Sequence, residues 1–209
     1  AAIWLEEGFS LETLLGGGIG GMWTAFLQPP DALHNVIFAP HWYTDIYPFL
    51  GFGKSYETLH RCFSADQVEY RDYTEAIVGV AELSDTSLGR IPVAFGEFGS
   101  YYNFCGIEQA ISTDYQATAE ILDNYYEVFE DQIYHHFQWN YCVENNPEHG
   151  DNWNEEDFSV IDEQGNPRGE EAFVRTVLRA ASGKPISMHF YGPLHEWEPD
   201  KGIPNHELE

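Results

Sequence analysis

The chain has 209 residues, room for one full domain or for one domain and part of another; 43% of them are hydrophobic and 16% aromatic, which fills a real core and excludes a disordered chain. Asp and Glu number 35 against 9 Lys and Arg, a formal net charge of -26. A surface of that sign repels nucleic acid and anionic membrane, and no apolar run approaches the roughly 20 residues of a membrane span.

The N-terminus, Ala1-Ala2-Ile3-Trp4, has no positively charged stretch and no Met. It reads as a cut end, which leaves secretion and cytoplasmic residence both open. "AAIWLEE" is a strand-like apolar run closing on Glu6 and Glu7. The glycines of "SLETLLGGGIGGMW" mark a tight backbone passage, and Pro29, Pro30 and Asp31 make a turn. Residues 35–40 then read as a buried strand. Past a polar, aromatic loop, Ser64 caps a helix on which Val68, Tyr73, Ile77 and Val80 recur at roughly helical spacing.

"IPVAF" is the next buried strand and runs to Glu97. Ser112-Thr113-Asp114 caps a second helix, continued to Asp131 by a stripe of Tyr115, Ala119, Leu122, Tyr126 and Phe129. "IYHHFQWNY" is a further strand, a long acidic loop follows, and "EEAFVRTVLRAAS" (170–182) is a third helix. The cysteines, Cys62, Cys105 and Cys142, are odd in number and lack CxxC spacing, so they read as free thiols.

Strands that are apolar throughout and separated by helices predict an α/β fold with a parallel sheet covered on both faces. Chemistry in such units sits where strands end. At those ends stand His41-Trp42-Tyr43, Glu97 and Trp139. Alternation turns His41 and Tyr43 one way and Trp42 the other. Gly96 and Gly99 leave space beside the carboxylate and let the backbone turn. Such a Glu is either a satisfied structural carboxylate or, held ionised beside a phenol and an imidazole, a nucleophile or base. Trp139 is either core packing or a flat apolar face for a sugar ring. The loop "ENNPEHGDNWNEED" gathers acids and His149 but lacks an EF-hand ladder, and His135 and His136 face opposite ways on their strand, so no metal is expected.

The blocks "NVIFAPHWY", "PVAFGEFG" and "HHFQWNY...GDNWNEEDFSV" resemble the last barrel strands of glycoside hydrolase family 5, in particular its endoglycoceramidase-like and glucosylceramidase-like members. The resemblance implies the C-terminal half (about strands 5–8) of a (β/α)8 TIM barrel over residues 1–182. "GKPISMHFYGPLHEWEPDKGIPN" then begins a β-sandwich over 183–209. It further implies a retaining β-glycosidase acting on a β-glycoside or glycolipid without cofactor. Glu97 in Gly-Glu-Phe-Gly matches the nucleophile and His41 and Tyr43 the His-x-Tyr pair. Trp139, with Asn140 and Trp42, matches substrate-binding positions. The family's acid/base Glu lies in an Asn-Glu-Pro motif, a string this sequence does not contain; Asn154-Glu155 is followed by Glu156, and Glu6 and Glu7 are the only local substitutes. The chain is therefore expected to need its missing N-terminal half, or to self-associate, and to have little activity alone. A non-catalytic carbohydrate-binding module is the other reading.

Overall fold

The computed structural model describes residues 3–5, 35–43, 74–103, 106–152 and 156–194. The glycine-rich segment, the 29–31 turn, Glu6, Glu7, Ser64, Val68, Tyr73, Cys62, Cys105, Asn154, Glu155 and residues 195–209 lie outside them. The chain divides into two compact units.

The first unit carries the strands, all paired in parallel. β1 (Ile3–Leu5) pairs with β2 (Val36–Phe38), Ile3 opposite Val36. β3 (His41–Trp42) pairs with β4 (Ala94–Phe98), and β4 with β5 (His135–Gln138). The strand expected over 35–40 is β2 alone, ending ahead of Pro40, which has no N–H to give a ladder, and β3 begins after it. The path nonetheless continues: Phe38 N donates to Pro92 O (2.8 Å) and Gly96 N to Pro40 O (2.8 Å), with Phe38 bridged to Val93. This run thus has β1 on one side and β4 on the other, as a parallel α/β sheet requires.

Helix α1 (Thr74–Ser87) buries Ile77, Val80, Ala81 and Ser84, one face of a 3.6-residue repeat. The helix expected from Ser64 is described only from Thr74 onward. Gly89 (φ 76°) and Arg90 (φ 65°) then adopt left-handed backbone that turns the chain toward β4. Phe38, Phe95 and Phe98 are wholly buried, each stabilising the unit by about 1.5–3 kcal/mol.

The second unit holds α2 (Ile107–Ser112), α3 (Gln116–Asp131), α4 (Glu170–Phe173) and a long loop from residue 139. Of the stripe expected on α3, Ala119, Leu122 and Phe129 are buried, joined by Ile121, Tyr125 and Val128, while Tyr126 is half-buried and Tyr115 precedes the helix. The expected cap is not realised. The hydroxyls of Ser112 and Thr113 donate to Gln109 O (2.8 and 3.1 Å) and close α2 instead, while Tyr115 (φ 59°) stands at the start of α3 with no side-chain cap bond.

The third expected helix, 170–182, stops at Phe173. Its apolar positions Val174 and Val177 remain 62% and 63% exposed, so nothing packs against a helical stripe there. Arg175 instead turns its guanidinium onto α3, donating to Glu130 Oε1 and Oε2 (2.7 Å each) and to Asp123. Among the described residues no helix is long and apolar enough to cross a membrane.

Candidate active site

The parallel register of β3 on β4 sets His41 directly beside Glu97 and Trp42 beside Phe98. Side chains of partnered residues share a face, and Tyr43, two positions after His41, lies on that face too. The outcome is a three-residue cluster. The Tyr43 hydroxyl donates to Glu97 Oε2 at 2.8 Å, and His41 Nδ1 lies 3.4 Å from the same oxygen. Tyr43 is 6% exposed, whereas the Glu97 side chain keeps 32% of its surface. A buried phenol therefore orients a carboxylate that remains reachable. Among the described residues, no Lys or Arg comes within ion-pair distance of Glu97.

Gly96 serves this cluster through space rather than through a turn. A Cβ there would stand 3.3 Å from Ala39 O and 3.4 Å from His41 Nε2, crowding the imidazole. Neither Gly96 nor Gly99 has positive φ, so neither uses the left-handed backbone that glycine alone adopts freely. Trp42 is 5% exposed on the alternate face of β3. His136 packs the edge of its ring on Phe98 (5.6 Å between centroids) and its Nδ1 contacts Tyr134 O, while His135 is exposed, so the pair diverges.

Trp139 and Asn140 belong to the second unit. The peptide joining them is cis. Asn140 N donates to Phe158 O (3.3 Å) and Val160 N to Asn140 O (2.9 Å), clamping this segment along 158–160. The acidic loop has a buried polar interior that sequence reasoning missed. Asp151 and Asp157 are 4% and 3% exposed, and Arg168 is 2% exposed. Arg168 pairs with Asp157 (2.7 Å), donates from Nε to Ser159 O (2.9 Å) and lies 4.4 Å from the centre of the Tyr102 ring. Burial holds the Tyr115 phenol above its ordinary value although the Arg168 charge beside it pulls the other way. The one available signal was scarcity: in a chain with 9 basic residues, an Arg inside an acidic loop has carboxylates to meet.

Among the described residues, no cluster of His, Cys, Asp and Glu is arranged to hold a metal ion.

Fold and site together define a parallel α/β protein that presents a carboxylate, a phenol and an imidazole from neighbouring strands. Known proteins narrow this. No family model matches the chain. Over 157 residues it is 28% identical to a protein of Rhizopus delemar named glucosylceramidase, covering 69% of this chain and 22% of that one. Crystal structures of Cryptococcus neoformans sterylglucosidase 1 share the fold. One has a TM-score of 0.61 at 19% identity over 78% of this chain and 29% of that one; another, with tris, has 0.60 at 18% identity over 78% and 28%. The chain thus spans about a quarter of the length of these relatives. They point to the group its motifs resemble: the chain is similar to glycoside hydrolase family 5 enzymes of the glucosylceramidase and sterylglucosidase kind.

Proposed function

We propose that this chain is the nucleophile-bearing half of a retaining β-glycosidase that hydrolyses glucosides of lipid-like alcohols. In this reading β1, the β2–β3 path, β4 and β5 are strands five to eight of a (β/α)8 barrel, and residues 183–209 lead into a β-sandwich. The observation that carries the reading is the 2.8 Å hydrogen bond from Tyr43 to Glu97, with His41 on the same oxygen. A carboxylate that accepts from a phenol on one oxygen keeps the other for attack, whereas a bidentate guanidinium would tie up both.

Glu97 attacks the anomeric carbon and forms a glycosyl-enzyme. Tyr43 fixes the attacking carboxylate, and His41 contacts the sugar or the acid of the complementary half. A retaining glycosidase needs a second carboxyl group about 5 Å from the first, to protonate the leaving oxygen and then activate water. With no Asn-Glu-Pro string in this sequence, we assign that role to a Glu supplied by the complementary half barrel. The resemblance of their block assigns Trp139 and Asn140 to sugar binding. The names of the relatives support a glucolipid substrate; sterol, ceramide and plain glucoside are separated by assay on each.

The test is covalent. A fluorinated aryl glucoside that accumulates the glycosyl-enzyme, given to this chain together with its complementary half, should label the peptide containing Glu97, and the Glu97→Gln variant should not be labelled. Label elsewhere, or rapid turnover by this chain alone, overturns the reading. A carbohydrate-binding module, favoured by the absent Asn-Glu-Pro string, would never label and would bind sugar equally well after the Glu97→Gln substitution.

A further inference from the structure

Strand β4 carries one residue more than either neighbour can match. Phe38 is bridged to Val93, yet His41, three positions on, pairs with Glu97, four positions on. Phe38 N donates to Pro92 O and Gly96 N to Pro40 O, each at 2.8 Å, so unbroken pairing runs as far as Pro40 opposite Phe95. On the other side Phe95 pairs with His136 and Phe98 with Gln138, which leaves Gly96 and Glu97 together opposite Phe137. Both neighbours thus place a β-bulge at the same point, and the residue without a counterpart beside His41 is Gly96.

The bulge decides which face Glu97 occupies. Side chains alternate along a strand, so a one-residue slip carries every later side chain to the other face. In an unbroken ladder Gly96 would stand beside His41, and Glu97 beside Trp42, turned away from Tyr43. The bulge also has no room for a side chain. A Cβ at position 96 would lie 3.3 Å from Ala39 O, 3.4 Å from Ala39 Cβ and 3.4 Å from His41 Nε2. Ala39 is wholly buried and cannot rotate aside. A branched side chain at 96 is therefore relieved by straightening the ladder, which is the slip that misdirects Glu97.

We infer that Gly96 is a positioning residue: having no side chain, it lets β4 absorb one extra residue and so holds Glu97 in register with His41, on the face of Tyr43. Its bearing on catalysis rests on the glycosidase reading above; the register does not. Gly96 acts through Glu97.

Nuclear Overhauser contacts in the chain by itself read the register. Backbone protons should join Phe38 with Val93 and His41 with Glu97, and the Tyr43 ring should contact the Glu97 methylenes. His41 joined to Gly96 instead overturns the inference. Gly96→Val should join His41 to residue 96 and lose the contact between Tyr43 and Glu97. Deleting Gly96 should keep that contact, because it equalises the spacing on both sides of β4 and leaves every later pair unchanged. In the chain assembled with its complementary half, kcat for an aryl β-glucoside should fall at least about 100-fold in Gly96→Val with KM within about threefold. The deletion should retain a kcat at least about tenfold above that variant. A glycine needed only for packing predicts the reverse, a deletion at least as damaging as the substitution, and that result overturns the inference.

Where Gly96→Val or the deletion fails to fold, the contacts of the parent chain and Gly96→Ala decide. Alanine asks its neighbours to give by a few tenths of an ångström. It should fold and lower kcat about tenfold with KM within about threefold, and a parental kcat overturns the inference. Glu97→Gln is run alongside. Full turnover there sinks the glycosidase reading, and the register is then decided by the Overhauser contacts. Lost turnover there with parental turnover in Gly96→Val sinks this inference alone.

Discussion

The two units treat their carboxylates in opposite ways. In the second unit Asp123 and Glu130 are 4% and 3% exposed and both pair with Arg175, and Asp157, equally buried, pairs with Arg168. In the first unit Glu97 keeps a third of its side-chain surface and is held by Tyr43 and His41. The chain has only 9 Lys and Arg to distribute among 35 acids. Two of these cations are committed to closed structural cages. A guanidinium that fills both carboxylate oxygens makes the acid a strut; a phenol that fills one leaves the acid able to react. The difference teaches that burial and partner identity together separate a structural carboxylate from a chemical one, where sequence position alone does not.

The comparison breaks if exchanging roles changes nothing. Glu97→Gln is expected to lower kcat of the assembled enzyme on the order of 10⁴-fold, about 5 kcal/mol of barrier, while thermal unfolding shifts little. Arg175→Met should do the reverse. It strands two buried carboxylates and costs about 3–5 kcal/mol of stability, read by urea unfolding of this chain. Burial by itself would lower the Arg175 pKa, but the hydrogen bonds and charges of Glu130 and Asp123 outweigh it and hold the guanidinium above its ordinary value. Its contribution is therefore present at neutral pH and is lost as pH rises past that raised value.

Tyr43→Phe sharpens the contrast on a smaller scale. It keeps the ring and removes the hydroxyl that donates to Glu97. A hydrogen bond to a charged acceptor is worth about 1.5–3 kcal/mol, so kcat should fall roughly 10- to 100-fold, with stability changed far less. If Tyr43→Phe unfolds the protein as readily as Arg175→Met does, the cluster is structural after all.

The sequence carried the framework of both regions but not their wiring. Apolar runs and helical stripes exposed the parallel α/β order because period and burial are local properties, and Ala119, Leu122 and Phe129 of the expected α3 stripe are buried as read. Alternation along His41-Trp42-Tyr43 was equally local and correctly separated the two faces. What failed was non-local. The stripe through Val174 and Val177 reads as helix, yet helical propensity needs a surface to pack on, and Arg175 is drawn instead to acids 45 and 52 residues away. Ser112-Thr113-Asp114 reads as a cap, but a hydroxyl serves the end of one helix as readily as the start of the next. The hydrogen bonds of Asp151 were invisible for the same reason. Nothing in "HGDNW" states that its carboxylate will meet Asn140, Asn145, Phe158 and Ser159 at once.

The smallest effect belongs to an acid with neither kind of partner. Asp162, in the turn before Pro167, accepts from Gln164 N (2.9 Å), Asn166 N (2.8 Å) and Asn166 Nδ2 (2.9 Å), all near the surface. A slight desolvation pushes its pKa up, but the Asn166 and Gln164 hydrogen bonds prevail and hold it below the ordinary carboxylate value. A depressed folded pKa means the contribution is complete above the ordinary Asp value and disappears as pH falls through the lowered one. Asp162→Ala should therefore cost less than about 1 kcal/mol at neutral pH, the scale of exposed polar contacts, and nothing once the pH lies below that lowered value. Urea midpoints of parent and variant, measured across that range, should converge on the acid side. Convergence places Asp162 as a local staple of its turn. A gap that persists in acid would mean the side chain acts through packing, and the division between caged, reactive and surface carboxylates would need a fourth class.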